Sequence, residues 1–346
     1  MRQISHYAFA NAKIKAMMSF FLKRQELEAI ASARDFSSAL DILGKTGYKD
    51  ALEGIPGDNP DIRILERSLL RHDLGVYIEV EGALVNKWEK RLVYLLRQRY
   101  ELEEVKTFVR LWHNKTPAPV KDYLIAPKIC YHIDFDKLLA AASVEEFILE
   151  LDGTPYKRAL FNAREKYKER NQPFYLEAGL ESDYYRRLAE CIGNFSSADG
   201  KTAGKLLGIE VDIENINWLV RLDKYYAFGI AEVMEWFIPG GRLVKKDSIR
   251  KFYASNDPDK VIEGISAGPY AGLKGSARGN PAVLEKFLYE VMLRQVKSAM
   301  TGFPFTIGTV IGYLFLKHRE TRTLISLLTA KNYGWDKEEI ISALNV

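Results

Sequence analysis

The sequence predicts an all-α protein made of three similar units. A motif centred on tyrosine occurs three times, at Tyr48, Tyr156 and Tyr270, and the two intervals between these tyrosines are nearly equal. Apolar residues follow a 3.6-residue period through most of the chain, whereas the alternation typical of strands is short and sparse. A chain built from copies of one helical unit typically forms a ring or a stack that holds partners.

Two further markers recur along the chain in a constant order. A Leu-Glu pair precedes an apolar helical pattern at Leu65-Glu66, Leu180-Glu181 and Leu284-Glu285. A glutamate with Asn or Thr three positions later occurs at Glu104/Thr107, Glu214/Asn217 and Glu320/Thr323. In addition, a proline occurs twice at a similar spacing, as Pro127 and Pro239. Because the markers occur in the same order and at nearly the same spacing, they indicate a genuine internal repeat.

The markers predict domain bounds of 1–103, 104–213 and 214–346. The glutamate marker reappears at Glu320, so that the tail 320–346 looks like the opening of a fourth unit. A C-terminal segment that carries only the first part of a unit can complete the first unit, because that unit lacks this part. We therefore expect the C-terminal helix, 320–346, to pack with residues 1–103 in a closed arrangement.

The repeated tyrosine is predicted to follow a short helix in each unit. Asp35 and Ser143 are residue types typical of a helix N-cap, and a short helix is predicted to run from each of them. Pro155 suits the first turn of the following helix, because its fixed φ angle is already helical. We interpret the tyrosine as a structural residue whose ring packs into the hairpin and whose hydroxyl stays free for a partner.

Composition excludes several classes of protein. The chain has 346 residues, of which 47% are hydrophobic, enough for a substantial core. The net charge of +4 comes from 50 basic and 46 acidic residues that are interspersed, which argues against nucleic acid as a partner. The two cysteines, Cys130 and Cys191, form no CxxC pair, which is typical of a reducing cytosol rather than a disulfide framework or a zinc site.

No segment of the sequence is predicted to span a membrane. The longest apolar run extends only from Phe303 to Leu316 and contains Pro304, Gly308 and Gly312. It is too short, because a spanning helix needs about 20 residues. In such a chain the Gly308–Gly312 spacing is more typical of close helix packing than of a membrane dimer.

The sequence contains no recognisable catalytic motif, and we expect no cofactor and no metal. The one candidate metal group is His132 with Asp134 and Asp136, which would need a further ligand from elsewhere. The two aspartates can instead cap a helix that begins near Lys137. A helical enzyme that uses these three residues is therefore kept only as an alternative.

The glutamate markers place polar side chains on one face of otherwise apolar helices, because residues three apart are neighbours there. The eight candidate site residues are Glu104, Thr107, Arg110, Glu214, Asn217, Arg221, Glu320 and Thr323. If the units surround a centre, this strip forms a polar socket for a shaft-like partner. Hydrogen bonds between units, which would fix the symmetry, explain the same pattern, and both interpretations stay open.

The chain resembles the C subunit of A/V-type rotary ATPases, called the d subunit in the eukaryotic vacuolar enzyme. The resemblance covers essentially the whole chain. It rests on Tyr7–Lys15 (YAFANAKIK), Thr154–Tyr156 (TPY), Phe237–Gly241 (FIPGG), and the closing Phe303–Phe305 (FPF) through Gly312–Lys317 (GYLFLK) into Glu320. The sequence departs from the family where Asn commonly follows the Glu, because Thr107 and Thr323 stand there and only Asn217 keeps the amide.

The resemblance implies three helical-bundle domains around a pseudo-three-fold axis, in a funnel with a central opening. It implies a non-catalytic central-stalk component on the cytoplasmic face of the membrane, present as one copy in the complex. The socket would receive the foot of the shaft, made of the D and F subunits, and the chain would pass torque to the proteolipid rotor ring. A helical-repeat scaffold for other cytosolic partners is the alternative that shares these sequence features.

Overall fold

The chain folds into α-helices joined by short loops and 3₁₀ turns. The computed structural model describes residues 2–55, 61–225, 234–247, 250, 270–271 and 281–344. The helices are α1 (Arg2–Met18), α2 (Arg24–Ala31), α3 (Phe36–Leu43), α4 (Ile62–Ala83), α5 (Lys87–His113), α6 (Phe135–Ala140), α7 (Val144–Leu149), α8 (Pro155–Arg170), α9 (Phe174–Ile192), α10 (Ser197–Tyr225), α11 (Pro281–Met300), α12 (Ile307–Asn332) and α13 (Lys337–Leu344). The described residues contain no β-strand, and the all-α prediction is confirmed.

The helices divide into two compact units. One, here called the terminal unit, comprises Met1–Ala141 together with Thr309–Val346, and the other, the middle unit, comprises Ala142–Gly308. The predicted boundaries at residues 104 and 214 lie inside the continuous helices α5 and α10. The division into three units and the funnel shape stay predictions.

The core of the terminal unit is built from both ends of the chain. Leu324, Leu327 and Leu328 of α12 and Ile340 of α13 are completely buried. They belong to one apolar cluster with residues of α2, α3 and α4 and the turn between α3 and α4, which include Ile30, Leu43, Tyr48, Leu65 and Leu69. The Lys331 Nζ atom also donates to the Ala31 carbonyl at 3.0 Å. Removing α12 and α13 would therefore open the core formed by the N-terminal helices.

Apolar residues from Trp88 to Trp112 follow a 3.6-residue period, which predicts one helix of about 25 residues. The longest helix of the terminal unit, α5, has this length. It contains 27 residues, or about 40 Å at 1.5 Å per residue. The Asn86 side chain caps its N-terminus by accepting from the Trp88 N–H at 2.8 Å. Pro117 and Pro119 predict a break after this helix, and the chain does turn just before them, at Lys115, which has a left-handed φ of 50°.

The middle unit contains closely packed helix pairs in which glycine sets the separation. At Gly179 of α9, an added Cβ atom would lie 2.8 Å from the Ala163 Cβ atom of α8. At Gly308, at the start of α12, it would lie 2.9 Å from the Thr202 Cγ2 atom of α10. Close helix packing, the interpretation favoured for Gly308, is confirmed. Across the described residues, no helix combines the length and apolar character required to cross a bilayer.

One predicted break is shorter than its glycines indicate. The glycines from Gly193 to Gly204 predict a break, and the chain does break there, but only residues 193–196 separate α9, which ends at Ile192, from α10, which begins at Ser197. Ser196 starts α10, because its hydroxyl accepts from the Asp199 N–H at 3.4 Å and its carbonyl from the Gly200 N–H at 2.7 Å. Burial of an apolar face, namely Ala203, Leu206 and Ile209, outweighs the weak helix propensity of the glycines, which costs about 1 kcal/mol each.

The predicted helix starts around the tyrosine motifs are confirmed. The Asp35 carboxylate accepts from the Ser38 N–H at 2.8 Å and caps α3. The Ser143 hydroxyl accepts from the Glu146 N–H at 3.2 Å and caps α7. Pro155 is the first residue of α8. Of the third motif, only Tyr270 and its neighbour Ala271 lie within the described residues.

Candidate functional site

Three polar side chains on long helices each hold the backbone of a loop, and we call them the loop anchors: Glu104, Asn215 and Glu320. The first lies on α5 in the terminal unit. The Glu104 Oε1 atom accepts from the Ile125 N–H at 2.6 Å, and the side chain is buried. The contact ties the loop after α5 to the helix that precedes it.

The second loop anchor, Asn215, lies on α10 in the middle unit. Its Oδ1 atom accepts from the Ile238 N–H at 3.0 Å, and its Nδ2 atom donates to the Ile238 carbonyl at 2.9 Å. An amide can satisfy both backbone groups of one residue, since it carries a donor and an acceptor. Asn215 follows Glu104 at nearly the same spacing as Ile238 follows Ile125. The two contacts therefore recur with the period of the sequence repeat.

The third loop anchor, Glu320, lies on α12 in the terminal unit. Its Oε2 atom accepts from the Leu22 N–H at 2.6 Å. Its Oε1 atom accepts from the Tyr48 hydroxyl at 2.8 Å and from the Lys317 ammonium at 2.9 Å. Here most of the chain lies between the anchored loop and its helix, so this contact joins the two ends of the sequence.

A second acidic residue, three positions before the anchor, holds the same loop in two of the three sites. The Glu101 Oε2 atom accepts from the N–H groups of Cys130 and Tyr131 at 2.7 and 2.8 Å. The Asp212 carboxylate accepts from the N–H groups of Leu243 and Val244, both at 2.9 Å. The third site has a different residue at this position, Lys317, whose ammonium lies 4.1 Å from the centre of the Tyr48 ring.

The surroundings of Asp212 explain why the Phe237–Gly241 motif ends in two glycines. Gly240 adopts a left-handed φ of 98°, which L side chains rarely tolerate. A Cβ atom on Gly241 would overlap the Asp212 carboxylate and would approach the Val244 carbonyl to 2.9 Å. The motif is therefore the turn that lets an extended backbone segment lie directly against a buried carboxylate.

The expectation that the repeated tyrosines keep a free hydroxyl is wrong for Tyr48 and Tyr270. The Tyr48 hydroxyl donates to Glu320, and the Tyr270 hydroxyl donates to the Asp212 Oδ2 atom at 3.0 Å. The Tyr156 side chain is also buried. A buried phenol finds a hydrogen-bond partner inside the protein, because leaving its hydroxyl unsatisfied would be costly. The structural interpretation of the tyrosines is confirmed for Tyr48 and Tyr270.

Burial raises the pKa of two of the carboxyl groups that hold loops, Glu104 and Asp212. It raises the pKa of Glu104 to about 8; the neighbouring Glu101 adds to the rise, and the Ile125 N–H opposes it. Burial also raises the pKa of Asp212, against the opposing N–H groups of Leu243 and Val244. Burial therefore disfavours the charged form at Glu104 and Asp212, whereas Asn215 is always neutral.

The other predicted site residues lie around these contacts. Thr107 is half-buried, and its hydroxyl donates to the Glu103 carbonyl at 2.9 Å and accepts from the exposed Arg110 guanidinium at 3.1 Å. Glu214 and Thr323 are half-buried. Asn217 and Arg221 belong to α10, but their side chains lie outside the described residues. A partner contact for these eight residues stays a prediction.

Sequence reasoning missed Asn215, Glu101 and Asp212. In α10 the loop is held by Asn215, which directly follows the predicted residue Glu214. The prolines Pro127 and Pro239 recur at a similar spacing, but that spacing does not distinguish Asn215 from its neighbour Glu214.

The candidate metal group resolves into a helix cap. The Asp134 Oδ1 atom accepts from the Lys137 N–H at 3.1 Å and caps α6, which begins at Phe135. Asp136 lies in the first turn of the same helix. In the described part of the chain, no group of three or more His, Cys, Asp or Glu side chains is arranged to hold a metal ion.

Comparison with known proteins matches nearly the whole chain. Residues 10–343 match the family described as ATP synthase (C/AC39) subunit. A relative from Archaeoglobus fulgidus, named as the C subunit of an A-type ATP synthase, is 26% identical over 96% of this chain and 94% of its own length. Proteins of the same name from Pyrococcus abyssi and Thermococcus onnurineus are 25% and 24% identical, each over 96% of this chain, and over 89% and 88% of their own lengths.

These matches run through the helices that carry all three loop anchors, and they cover both the terminal and the middle unit. The chain belongs to the ATP synthase (C/AC39) subunit family.

Proposed function

We propose that the chain is a coupling component of an A-type or V-type rotary ATPase, where it joins the central shaft to the membrane rotor ring and transmits torque between them. The observation that carries the proposal is the match over residues 10–343 to a family of ATP synthase subunits. The shaft consists of the D and F subunits, and the ring consists of proteolipid subunits. The chain acts as one copy on the cytoplasmic face and does not itself hydrolyse ATP. A scaffold for other cytosolic partners would not account for the full-length match.

Torque transmission requires a stiff body, and the loop anchors support this requirement. Hydrogen bonds to Glu104, Asn215 and Glu320, buried at the first two and part-buried at the third, fix three loops against three long helices. A loop held by buried side chains moves less than one held by solvent-exposed hydrogen bonds. Force applied at such a loop passes into a helix of about 40 Å rather than being absorbed locally.

In this proposal the eight candidate residues have two roles. Glu104 and Glu320 are positioning residues, because their carboxylates bond to the chain's own backbone. The shaft contact belongs to the more accessible members of the strip, of which Arg110 is exposed and Thr107 supports it at 3.1 Å. Glu214 and Thr323, both half-buried, are further proposed members. Asn217 and Arg221 are included only because the sequence repeat places them in the strip.

The test of the function uses the assembled ATPase in vesicles, prepared with and without this chain. We expect the complex that lacks the chain to keep ATP hydrolysis in its head and to lose ATP-driven ion uptake. Restored uptake on adding the chain back would support coupling. Uptake that is unchanged by its omission would contradict the proposal.

The test of the contact measures affinity for a purified D–F shaft by calorimetry. Arg110→Glu should weaken binding by about tenfold or more, since it reverses a charge inside the interface. Lys45→Glu, an exposed reversal of the same size after α3, is the control and should bind as the parent chain does. Equal affinity of both variants would remove Arg110 from the contact without affecting the coupling test.

A further inference from the structure

We propose that the turn between α4 and α5 binds the headgroups of anionic phospholipids directly. This surface, the basic turn, consists of Val85, Lys87, Trp88, Lys90 and Arg91. It lies in the terminal unit, where α4 ends at Ala83 and α5 begins at Lys87; Val85 lies in the connection, and the other four residues belong to the start of α5. Direct lipid contact goes beyond torque coupling, which requires only the shaft and the ring.

The basic turn presents an apolar residue at its tip. Val85 is 73% exposed, whereas its neighbour Leu84 is buried at 3%. The Asn86 side chain caps α5 and fixes the backbone of the turn. An apolar side chain held outward on a fixed turn can enter the boundary between headgroups and acyl chains without reorganising the protein.

The exposed charges of the basic turn are all positive. Lys87, Lys90 and Arg91 are exposed, and none of them forms an ion pair with another described residue. The acidic side chains nearby have other partners. Glu89 is buried, where its Oε1 atom accepts from the Tyr7 hydroxyl at 2.6 Å and lies 2.8 Å from the His6 Nε2 atom.

Glu81, the other nearby acid, lies 3.5 Å from the Arg97 guanidinium. Both acids are thus engaged on the protein side of the turn. The basic turn therefore presents three cations that have no acidic partner among the described residues. Their combined electrostatic field attracts an anionic surface.

Aromatic rings support two of these cations. The Lys87 ammonium lies 5.2 Å from the centre of the Trp88 ring, and the Arg91 guanidinium lies 5.1 Å from the centre of the Tyr94 ring. Cations over aromatic faces keep their charge while their apolar stems remain covered. Trp beside basic residues is a combination enriched at membrane–water interfaces.

The size of the basic turn favours a lipid surface over a protein partner. A stable protein interface buries about 800 Å² on each side, usually around a packed apolar centre. The five residues of the basic turn offer a single apolar tip surrounded by cations. A headgroup layer needs only charge of opposite sign and room for that tip.

The test is binding of the full chain to vesicles, followed by flotation. We expect the chain to float with phosphatidylglycerol vesicles at low salt, to float weakly with phosphatidylcholine vesicles, and to be released at high salt. The triple variant Lys87→Glu, Lys90→Glu, Arg91→Glu should bind phosphatidylglycerol at least about 100-fold more weakly, since each basic residue near an anionic surface contributes about fivefold.

The control carries the same change in net charge at another place. Lys45→Glu, Lys49→Glu, Lys128→Glu reverses three exposed lysines elsewhere in the terminal unit and should keep most of the binding. Equal loss in both variants, or no binding of the parent chain to anionic vesicles, would overturn the proposal. It would also be overturned if the basic-turn variant bound vesicles normally and lost affinity for the lipid-free rotor ring. None of these results bears on the D–F shaft, so a failure here leaves the coupling proposal separately testable.

Discussion

The buried carboxyl group of Glu104 makes the stability of the terminal unit depend on pH. Its pKa rises from the usual value of 4.5 to about 8 on folding, chiefly through burial. Between these values the folded chain holds a proton that the unfolded chain releases. The free energy of unfolding should therefore fall as the pH rises from about 4.5 to 8, and this contribution should stay constant above that range.

Glu104→Gln should remove this dependence, because glutamine stays neutral and can still accept from the Ile125 N–H. We expect the variant to match the parent near pH 5 and to exceed its free energy of unfolding by about 4 kcal/mol near pH 8.5. Urea unfolding at both pH values measures the difference. The exposed Glu53→Gln should shift neither value, and parallel pH profiles of parent and Glu104→Gln would contradict the buried-proton account.

The loop anchors show why a repeat in sequence locates a site only approximately. The period of the repeat links Glu104 to Asn215, yet the change from Glu to Asn hides the relation when like residues are matched. Their shared partner is a backbone N–H, which any residue except proline supplies, so the loop sequence gives little help. Lys317 takes the position of Glu101 and Asp212, and its role becomes visible only through its contacts with Glu320 and Tyr48.

Among the structural elements, the turn at Gly240–Gly241 is the most constrained by its surroundings. Gly241→Ala would push a methyl group into the Asp212 carboxylate, which holds the N–H groups of Leu243 and Val244. We expect a loss of about 1–3 kcal/mol in the free energy of unfolding, as for other overpacked sites. Thermal and urea unfolding would measure it.

Gly82→Ala is the matched control for this prediction. Gly82 lies within α4, and an added Cβ atom there meets nothing within 4 Å. The same chemical change should therefore stabilise the chain by about 0.5–1 kcal/mol, since alanine favours the helix. If the two variants had equal stability, the close approach at Gly241 would not be what selects glycine.

Helices were predicted well wherever an apolar stripe was the dominant signal. The period from Trp88 to Trp112 defined α5 almost to the residue, and the caps at Asp35 and Ser143 followed from side-chain chemistry alone. The start of α10 was missed because glycines are a local signal for a break, while the burial that overrides them depends on helices distant in sequence. The hydrogen-bond partners of Tyr48 and Tyr270 could not be predicted either, because they too lie far away in the sequence.

At the level of the whole molecule, the terminal unit unites segments separated by the entire middle unit. Its core includes Leu327 of α12, completely buried in one cluster with Leu43 of α3 and Leu65 of α4. Its polar contacts also join the two ends of the sequence, since Glu320 accepts hydrogen bonds from both Leu22 and Tyr48. Such contacts close a very long loop, whose entropy must be offset by the core they complete.

Leu327→Ala tests this discontinuous core in the intact chain. A fully buried leucine reduced to alanine costs about 2–5 kcal/mol, and the loss should appear in the unit that contains it. Hydrogen exchange should therefore accelerate in α2, α3 and α4, near the opposite end of the sequence, while α8 and α9 keep their protection. Leu149→Ala, at a leucine that is 59% exposed in the middle unit, should change neither region. If protection fell equally in both units, they would unfold as one cooperative body, and the stability of α2, α3 and α4 would not be separable from that of α8 and α9.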